Sequence, residues 1–334
     1  MNRRDSLLAL LTLGIAGLPL GANAQSGSPA KPVRIGLLPA LDEPYRKWVS
    51  SALAEAGWIE GRDYTLVWFE SAFRTDHIES AAKRLVAENP DLILGTGDGF
   101  IMAAQKLTTT IPIVVWASGY LVEDGLANSL ARPGRNVTGN TIYTGSTLSG
   151  KLIELLHDAD PKLKRVGVLF DYRPPFTTRE VGDRILQEMR LAARSYGIAL
   201  HIAEVAFPEE ASAALAKIEA GKPQALIATT GTGLGPSRQR IAQFALDKRL
   251  PLIVDLAWRL PPEVYPLLVY GPPLPDLMRR AVSYVDRILK GEKAGDLPIQ
   301  QPAKFDLLIN MKTARAIGFN VPQLLMLRAD KVIE

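Results

Sequence analysis

The chain has 334 residues, 47% of them hydrophobic and 22% charged, and its 39 lysines and arginines against 35 acidic residues give a net charge of +4. This small excess is spread along the chain without a basic block, which argues against nucleic acid as a partner. The absence of cysteine excludes disulfides, thiolate metal ligands, cysteine nucleophiles and a lipid-modified cysteine behind an export leader.

Residues 1–24 have the features of a cleaved export signal. Two arginines form its positive end, Leu7–Leu20 its apolar stretch, and the sequence ANA at 22–24 its cleavage motif. The apolar stretch is broken by glycine and proline and is shorter than the roughly 20 residues that span a bilayer. We therefore expect cleavage after Ala24, export to the periplasm, and a mature protein that does not itself span the membrane. The paired arginines leave open whether the Sec or the twin-arginine (Tat) route is used.

The mature chain is long enough for two domains. Cleavage removes two arginines and one aspartate, which lowers the net charge to +3 and leaves 310 residues. One hydrophobic core rarely serves a chain of that length. Residues 25–32 (QSGSPAKP) are predicted to be a flexible tether ahead of the first domain.

From residue 33 onward, short apolar runs alternate with amphipathic stretches, which predicts an α/β fold. The first block has predicted strands at 33–38, 64–70, 91–95 and 113–117, and predicted helices at 45–56, 75–88 and 100–107. Its near-continuous runs of valine, isoleucine and leucine are typical of parallel strands buried on both faces.

A second block repeats this plan. Its predicted helices are 148–157, 178–196, 209–220 and 237–247, and its predicted strands are 165–170, 198–205, 225–230 and 252–255. The last part of the chain adds predicted strands at 267–271 and 305–310 and predicted helices at 276–289 and 312–317. It is too short for a third domain, so we expect it to complete the other two sheets.

Four segments resemble the extracytoplasmic substrate-binding proteins of ABC importers. They are SLARPGRNVTGNT at 129–141, LSGKLIELL at 148–156, the stretch 279–319, and LMLRADKVIE at 325–334. The resemblance extends from about Val33 to Glu334 and includes the branch with tryptophan- and phenylalanine-binding members. It implies the type I periplasmic-binding-protein fold, in which two doubly wound parallel-sheet lobes are joined by three chain crossings.

The resemblance also implies where the lobes divide. The first lobe would comprise residues 33–138 and 272–298, and the second would comprise 139–271 and 299–334. The crossings would lie near 137–144, 270–273 and 297–302.

Open parallel sheets bind ligands beyond the carboxyl ends of their strands, so we expect the site where two such rims face each other. The predicted ligand contacts of the first lobe are Tyr45, Gly97, Asp98, Ser118, Gly119 and Tyr120. Those of the second lobe are Asp171, Tyr172, Thr177, Thr230, Thr232, Asp255 and Trp258.

The types of these residues suit a small organic ligand that carries an ammonium group. Asp255 is the preferred partner for such a cation, with capping of the following turn as an equal alternative. The rings beyond the strands can stack on a flat ligand. Trp116 lies inside an apolar strand and is predicted to pack in the core.

Two glycine-rich loops, GTGDG at 95–99 and GTGLG at 231–235, each follow a strand and precede a helix. Their amides are candidates for binding a ligand carboxylate, and simple turn formation is the alternative. Neither loop has the spacing of a dinucleotide site. The resembling proteins usually have a Thr-Pro-Ala type of sequence where this chain has Gly97, Asp98 and Gly99, which leaves the ligand class open.

No catalytic residue, metal ligand or cofactor is predicted, because the known nucleophile and zinc motifs are absent and the three histidines fall outside the predicted rims. The leading interpretation is capture of a small ligand, such as an aromatic or hydrophobic amino acid, by hinge closure, with delivery to an ABC permease in the inner membrane. A ligand-sensing subunit for a membrane receptor is the second interpretation, and an exported α/β enzyme is the third.

Overall fold

The computed structural model describes residues 31–39, 43–69, 75–142, 147–171, 179–229, 234–258 and 260–334. The predicted leader and residues 25–30 of the predicted tether lie outside these ranges. The strands are β1 Val33–Leu38, β2 Tyr64–Val67, β3 Leu92–Thr96, β4 Ile113–Ser118, β5 Val137–Thr141, β6 Arg165–Asp171, β7 Ala199–Val205, β8 Ala225–Ala228, β9 Leu252–Val254, β10 Leu268–Gly271, β11 Asp306–Asn310 and β12 Lys331–Ile333. The helices are α1 Glu43–Glu55, α2 Thr75–Ala87, α3 Asp98–Leu107, α4 Thr147–Ala159, α5 Arg179–Ser195, α6 Ala211–Ala220, α7 Arg238–Asp247, α8 Leu274–Leu289, α9 Met311–Ile317 and α10 Gln323–Leu327.

The strands form two separate sheets, so the predicted pair of α/β lobes is confirmed. The first sheet has the order β2-β1-β3-β4-β5 and is parallel throughout. The second has the order β12-β11-β10-β9-β8-β6-β7 and is parallel except where β11 pairs antiparallel with β10. We call the two halves built on these sheets the first lobe and the second lobe.

Helix α8 completes the first lobe, although it follows a strand of the second. The residues buried along one face of α8 recur every three or four positions: Leu277, Met278, Ala281, Val282, Tyr284, Val285 and Ile288. This face packs on β4 and β5 and joins the apolar core of the first lobe. The predicted role of this helix is confirmed, and each large apolar side chain buried there contributes roughly 1.5–3 kcal/mol.

The last part of the chain is shared less evenly than expected. The prediction was that it would complete both sheets, but β10, β11 and β12 all join the second sheet. The first lobe receives α8 and no strand. After α8 the chain stays on the first lobe, where Ala294, Leu297 and Ile299 are buried in its apolar clusters, but residues 290–299 include no strand.

Strand β5 was not predicted, because its sequence VTGNT lacks an apolar run, yet all five residues are buried. The polar side chains are instead satisfied by backbone carbonyls. Thr138 Oγ1 donates to Leu297 O at 2.6 Å, and Asn140 Nδ2 donates to Trp116 O at 3.1 Å and to Leu277 O at 2.9 Å. Buried polar groups with such partners carry little penalty.

The segments predicted as the first and third crossings lie side by side. The Thr141 amide donates to Gln300 O at 2.9 Å, and the Gln300 amide donates to Gly139 O at 2.8 Å. Gly139 has φ of 128°, and a Cβ there would lie 2.0 Å from Val115 O, so only glycine fits. Within the described ranges, no helix combines the length and apolar composition that a membrane span requires.

Candidate functional site

The predicted rim of the first lobe is built where β3 and β4 end. Asp98 is the first residue of α3, directly after β3, and Ser118 is the last residue of β4. The pairing of β3 with β4 shifts register at Gly95 and Thr96, and Thr96 Oγ1 donates to Ala117 O. Such irregularities change the direction of side chains at the end of a sheet. Here the loop after β4 contacts the first residue of α3.

The Asp98 carboxylate occupies the centre of this rim. Its Oδ1 accepts a hydrogen bond from Ser118 Oγ, one from the Gly119 amide at 3.2 Å and one from the Tyr120 amide at 3.3 Å. The Gly119 amide also reaches Oδ2 at 3.2 Å. Burial raises the pKa of Asp98 above its ordinary value, and these hydrogen bonds oppose the rise.

There is little room for a side chain at Gly119, next to this carboxylate. A Cβ on Gly119 would lie 3.1 Å from Asp98 Oδ2. The loop is also tied to β5, because Thr141 Oγ1 donates to Gly119 O at 2.6 Å and the Ile142 amide donates to Ser118 O at 2.7 Å. The first rim is therefore held in place by the strand that leads into the first crossing.

Tyr120 connects the first rim to the second lobe. Its partly exposed ring packs against the apolar core built from α4, α5, β6 and neighbouring elements of the second lobe. Tyr270, at the end of β10, packs against the same core and stacks on Phe305 with ring centroids 5.6 Å apart.

The rim of the second lobe lies where the adjacent strands β6, β8 and β9 end. The Asp171 amide donates to Thr229 Oγ1 at 3.0 Å, and Asp171 Oδ2 accepts from the Leu234 amide at 2.9 Å. Asp255 follows β9 on the other side of β8. Both predicted carboxylates are thus present at one edge of the sheet.

Arg238 was not predicted as a rim residue. It is the first residue of α7, the helix that follows β8 in the chain. Burial lowers the pKa of Arg238, and the charges of Asp255, Asp171 and Tyr265 oppose this shift. The signal was available in the sequence, because Arg238 opens the helix that follows a predicted rim strand. The second rim therefore combines two carboxylates with one guanidinium.

Trp258 lies in the loop after β9, shortly after Asp255 in the sequence. It is 4% exposed, and its Nε1 has no hydrogen-bond partner among the described residues. Its backbone amide donates to the Tyr265 hydroxyl, and burial raises the pKa of that phenol. Trp258 packs in the apolar core of the second lobe.

Tyr45 and Trp116 lie in the core of the first lobe. Trp116 Nε1 donates to the Tyr45 hydroxyl at 2.9 Å, and the Trp48 ring meets Trp116 edge-on with centroids 5.3 Å apart. The predicted core role of Trp116 is confirmed. Tyr45 is only 1% exposed, so packing accounts for its position and it is not among the ligand contacts proposed below.

Four of the predicted contacts, Tyr172, Thr177, Thr230 and Thr232, lie outside the described residues. Gly97 precedes α3 with φ of 80°, and its amide lies 3.4 Å from Ala117 O. In the part of the chain that the structure describes, no group of three or more histidine, aspartate or glutamate side chains is arranged to hold a metal ion.

Known proteins are similar to this chain in sequence and in fold. The family described as ABC transporter substrate binding protein matches residues 38–333. A protein from Clostridioides difficile (strain R20291) named tyrosine-binding protein is 24% identical over 334 residues, which cover 95% of this chain and 93% of that protein.

Solved structures show the same fold. A conserved domain protein from Vibrio cholerae is 22% identical with a TM-score of 0.78, covering 90% of this chain and 100% of that one. An ABC domain from Streptococcus pneumonia in complex with L-Trp is 20% identical with a TM-score of 0.78, covering 91% and 100%. The ligand-free, open structure of a substrate-binding protein with adhesive properties from Clostridium difficile is 23% identical with a TM-score of 0.60, covering 90% and 99%.

Proposed function

This chain belongs to the family of ABC transporter substrate-binding proteins, and from that premise we propose that it captures an amino acid between its two lobes for an importer. The ligand class is an amino acid with an aromatic or hydrophobic side chain. The receiving partner is an ABC permease in the inner membrane, and the site of action is the periplasm after removal of residues 1–24.

The observation that carries this proposal is the pair of charged rims. The first presents the Asp98 carboxylate, and the second presents Asp171, Arg238 and Asp255, all at carboxyl ends of parallel strands. A zwitterion needs both signs of charge and good acceptors when it leaves water. The two rims offer both signs.

The relatives support the same ligand class. One is named a tyrosine-binding protein, and one solved structure contains L-Trp.

In the proposed complex, Gly97, Asp98, Ser118, Gly119 and Tyr120 contact the ligand from the first lobe. Asp171, Arg238 and Asp255 contact it from the second lobe, with Trp258 behind them. Tyr172, Thr177, Thr230 and Thr232 stay predicted contacts.

Thermal denaturation of refolded, ligand-stripped protein tests this proposal. A ligand at 100 times its Kd adds about 2.7 kcal/mol to the free energy of unfolding, so L-tyrosine, L-tryptophan, L-phenylalanine or a related amino acid should raise the Tm. Asp255→Asn should weaken that shift. Asp247→Asn, an exposed carboxylate at the far end of α7, should leave it unchanged. No shift with any amino acid would exclude the proposed function.

A further inference from the structure

A cavity of about 840 Å³ lies at the edge of the first lobe opposite to its rim. The described residues that line it belong to the end of α3, to the turns that lead into β4 and β5, and to the segment after α8. The rim instead lies at the carboxyl ends of β3 and β4, where Asp98 begins α3. The ten residues of α3 separate the two places by about 15 Å, because a helix rises roughly 1.5 Å per residue. The cavity is therefore distinct from the proposed capture site.

Three cationic side chains line this cavity from different elements. Lys106 lies on α3, Arg135 lies just before β5, and Lys293 follows α8. All three residues are exposed, and neither lysine side chain forms a hydrogen bond or an ion pair with another described residue. Arg135 donates from Nη1 to the Gly125 carbonyl at 2.9 Å, and this partner is neutral. The three positive charges are therefore left without an anionic partner in the described part of the chain.

The acidic group at the cavity does not cancel this charge. Among the described lining residues, the carboxylate is that of Glu292, and Arg287 holds it by hydrogen bonds from Nε to Oε1 at 2.8 Å and from Nη2 to Oε2 at 2.6 Å. The carboxyl ends of α3 and α8 each add roughly half a negative charge. These opposing contributions leave an excess of about two positive charges around the cavity, so its electrostatic potential favours an anion.

The walls of the cavity are fixed by hydrogen bonds between the segments that form it. The Gly134 amide donates to Gly295 O at 2.9 Å, and Asn136 Nδ2 donates to Thr108 O at 3.0 Å and to Ile111 O at 2.9 Å. A preformed cavity of roughly 300–1,000 Å³ is typical of sites that bind small molecules. Both the volume and the rigidity of this cavity therefore suit a small molecule.

From this cavity we infer that the first lobe carries a second binding site, which takes a small organic anion with two or more carboxylates. Lys106 and Lys293 lie on separate elements, so one lysine can pair with each end of such a ligand. The guanidinium of Arg135 suits bidentate contact with a carboxylate. The hydroxyls of Thr109 and Thr110, which also line the cavity, can donate further hydrogen bonds. This site is additional to the capture of an amino acid and does not depend on it.

Equilibrium dialysis of the full chain against radiolabelled carboxylates tests this inference. The ionic strength is held constant, so that general screening is the same for every ligand. One molecule of citrate or succinate should bind per chain. Acetate, which has a single carboxylate, should bind at least about tenfold more weakly.

Paired substitution of the two lysines locates the binding. Lys106→Gln combined with Lys293→Gln removes two charges from exposed side chains, and surface substitutions of this kind have little effect on stability. The affinity for citrate should fall at least about tenfold in this variant. The matched control combines Lys162→Gln with Lys217→Gln, because it removes two exposed lysines from the second lobe. That variant should keep the wild-type affinity.

Four outcomes would contradict the inference. Absence of bound citrate and succinate would overturn the site, and so would an unchanged affinity in the Lys106 and Lys293 variant. An equal loss in both paired variants would overturn it as well, because net charge alone would then explain the binding. Acetate that binds as tightly as succinate would overturn the need for two carboxylates. None of these results bears on amino acid capture, which is tested with different ligands.

Discussion

The rims of the two lobes have the same order of strand, turn and helix, yet their buried charged groups are stabilised by different partners. In the first lobe, Asp98 is held by one hydroxyl and two amides and has no cation beside it in the described part of the chain. In the second lobe, burial lowers the pKa of the Arg238 guanidinium, and the charges of Asp255 and Asp171 oppose that shift. The two lobes share a topology in which a helix follows each of the strands β3 and β8. The first residue of that helix is negatively charged in the first lobe, Asp98, and positively charged in the second, Arg238.

The largest effect should come from removing the cation of the second rim. Arg238→Leu removes the positive charge that interacts with Asp255 and Asp171, and loss of one partner from such a buried group of charges costs up to about 3–5 kcal/mol. Urea denaturation measures the loss. Arg240→Leu, an exposed arginine on the same helix, should change the free energy of unfolding by less than about 0.5 kcal/mol. Equal stability of the two variants would remove the contrast between the rims.

Ser118→Ala should have the next largest effect. It removes the hydroxyl that donates to Asp98, and hydrogen bonds to charged groups contribute roughly 1.5–3 kcal/mol. The loss is measured by urea denaturation at neutral pH. Ser51→Ala provides the comparison, because Ser51 is exposed and its hydroxyl donates to Lys47 O within α1. A Ser118 variant as stable as the Ser51 variant would show that the first rim does not depend on this donor.

Thr229→Val should cost less, although Thr229 also lies at the end of a strand, β8, in the second rim. Its Oγ1 accepts the Asp171 amide at 3.0 Å, which is a neutral hydrogen bond worth about 1 kcal/mol. Valine has nearly the same shape as threonine, so this variant tests the loss of a hydroxyl that accepts a hydrogen bond. Ser118→Ala tests the loss of a hydroxyl that donates one. A larger loss in Thr229→Val than in Ser118→Ala would reverse the proposed order of the two rims.

The smallest effect is a dependence of stability on pH. Because burial raises the pKa of Asp98, the folded state holds this proton more tightly than the unfolded state. That contribution is fully present below the unfolded pKa of about 3.9 and is lost as pH rises through the folded pKa. Asp98→Asn lacks the titration, so its Tm should gain on the wild-type Tm as pH rises from 4 to 8. A difference in Tm that stays constant over this pH range would contradict the raised pKa of Asp98.

The sequence predicted the elements in which buried apolar residues recur at a regular spacing. Strand β1 has the predicted bounds, and α8 ends at the predicted residue, Leu289. Strand β5 escaped prediction because its stability comes from carbonyl partners contributed by Trp116, Leu277 and Leu297, which are distant in sequence. Periodicity within a segment carries no information about such partners.

The site was predictable as a location and less so as a set of contacts. The strand-end rule predicts a site at Asp98, Ser118, Asp171 and Asp255, and each of these residues ends a parallel strand or follows one closely. It could not show that Asp98 fills its own donor set, or that Tyr45 turns inward to meet Trp116. Both features depend on side-chain geometry between segments.

Native mass spectrometry of protein purified without denaturation tests the capture of an amino acid most directly. The account predicts one small molecule per chain, with the mass of an amino acid, which is lost on unfolding and regained when that amino acid is added back. A folded chain that carries no ligand after purification and forms no complex with any added amino acid would contradict it.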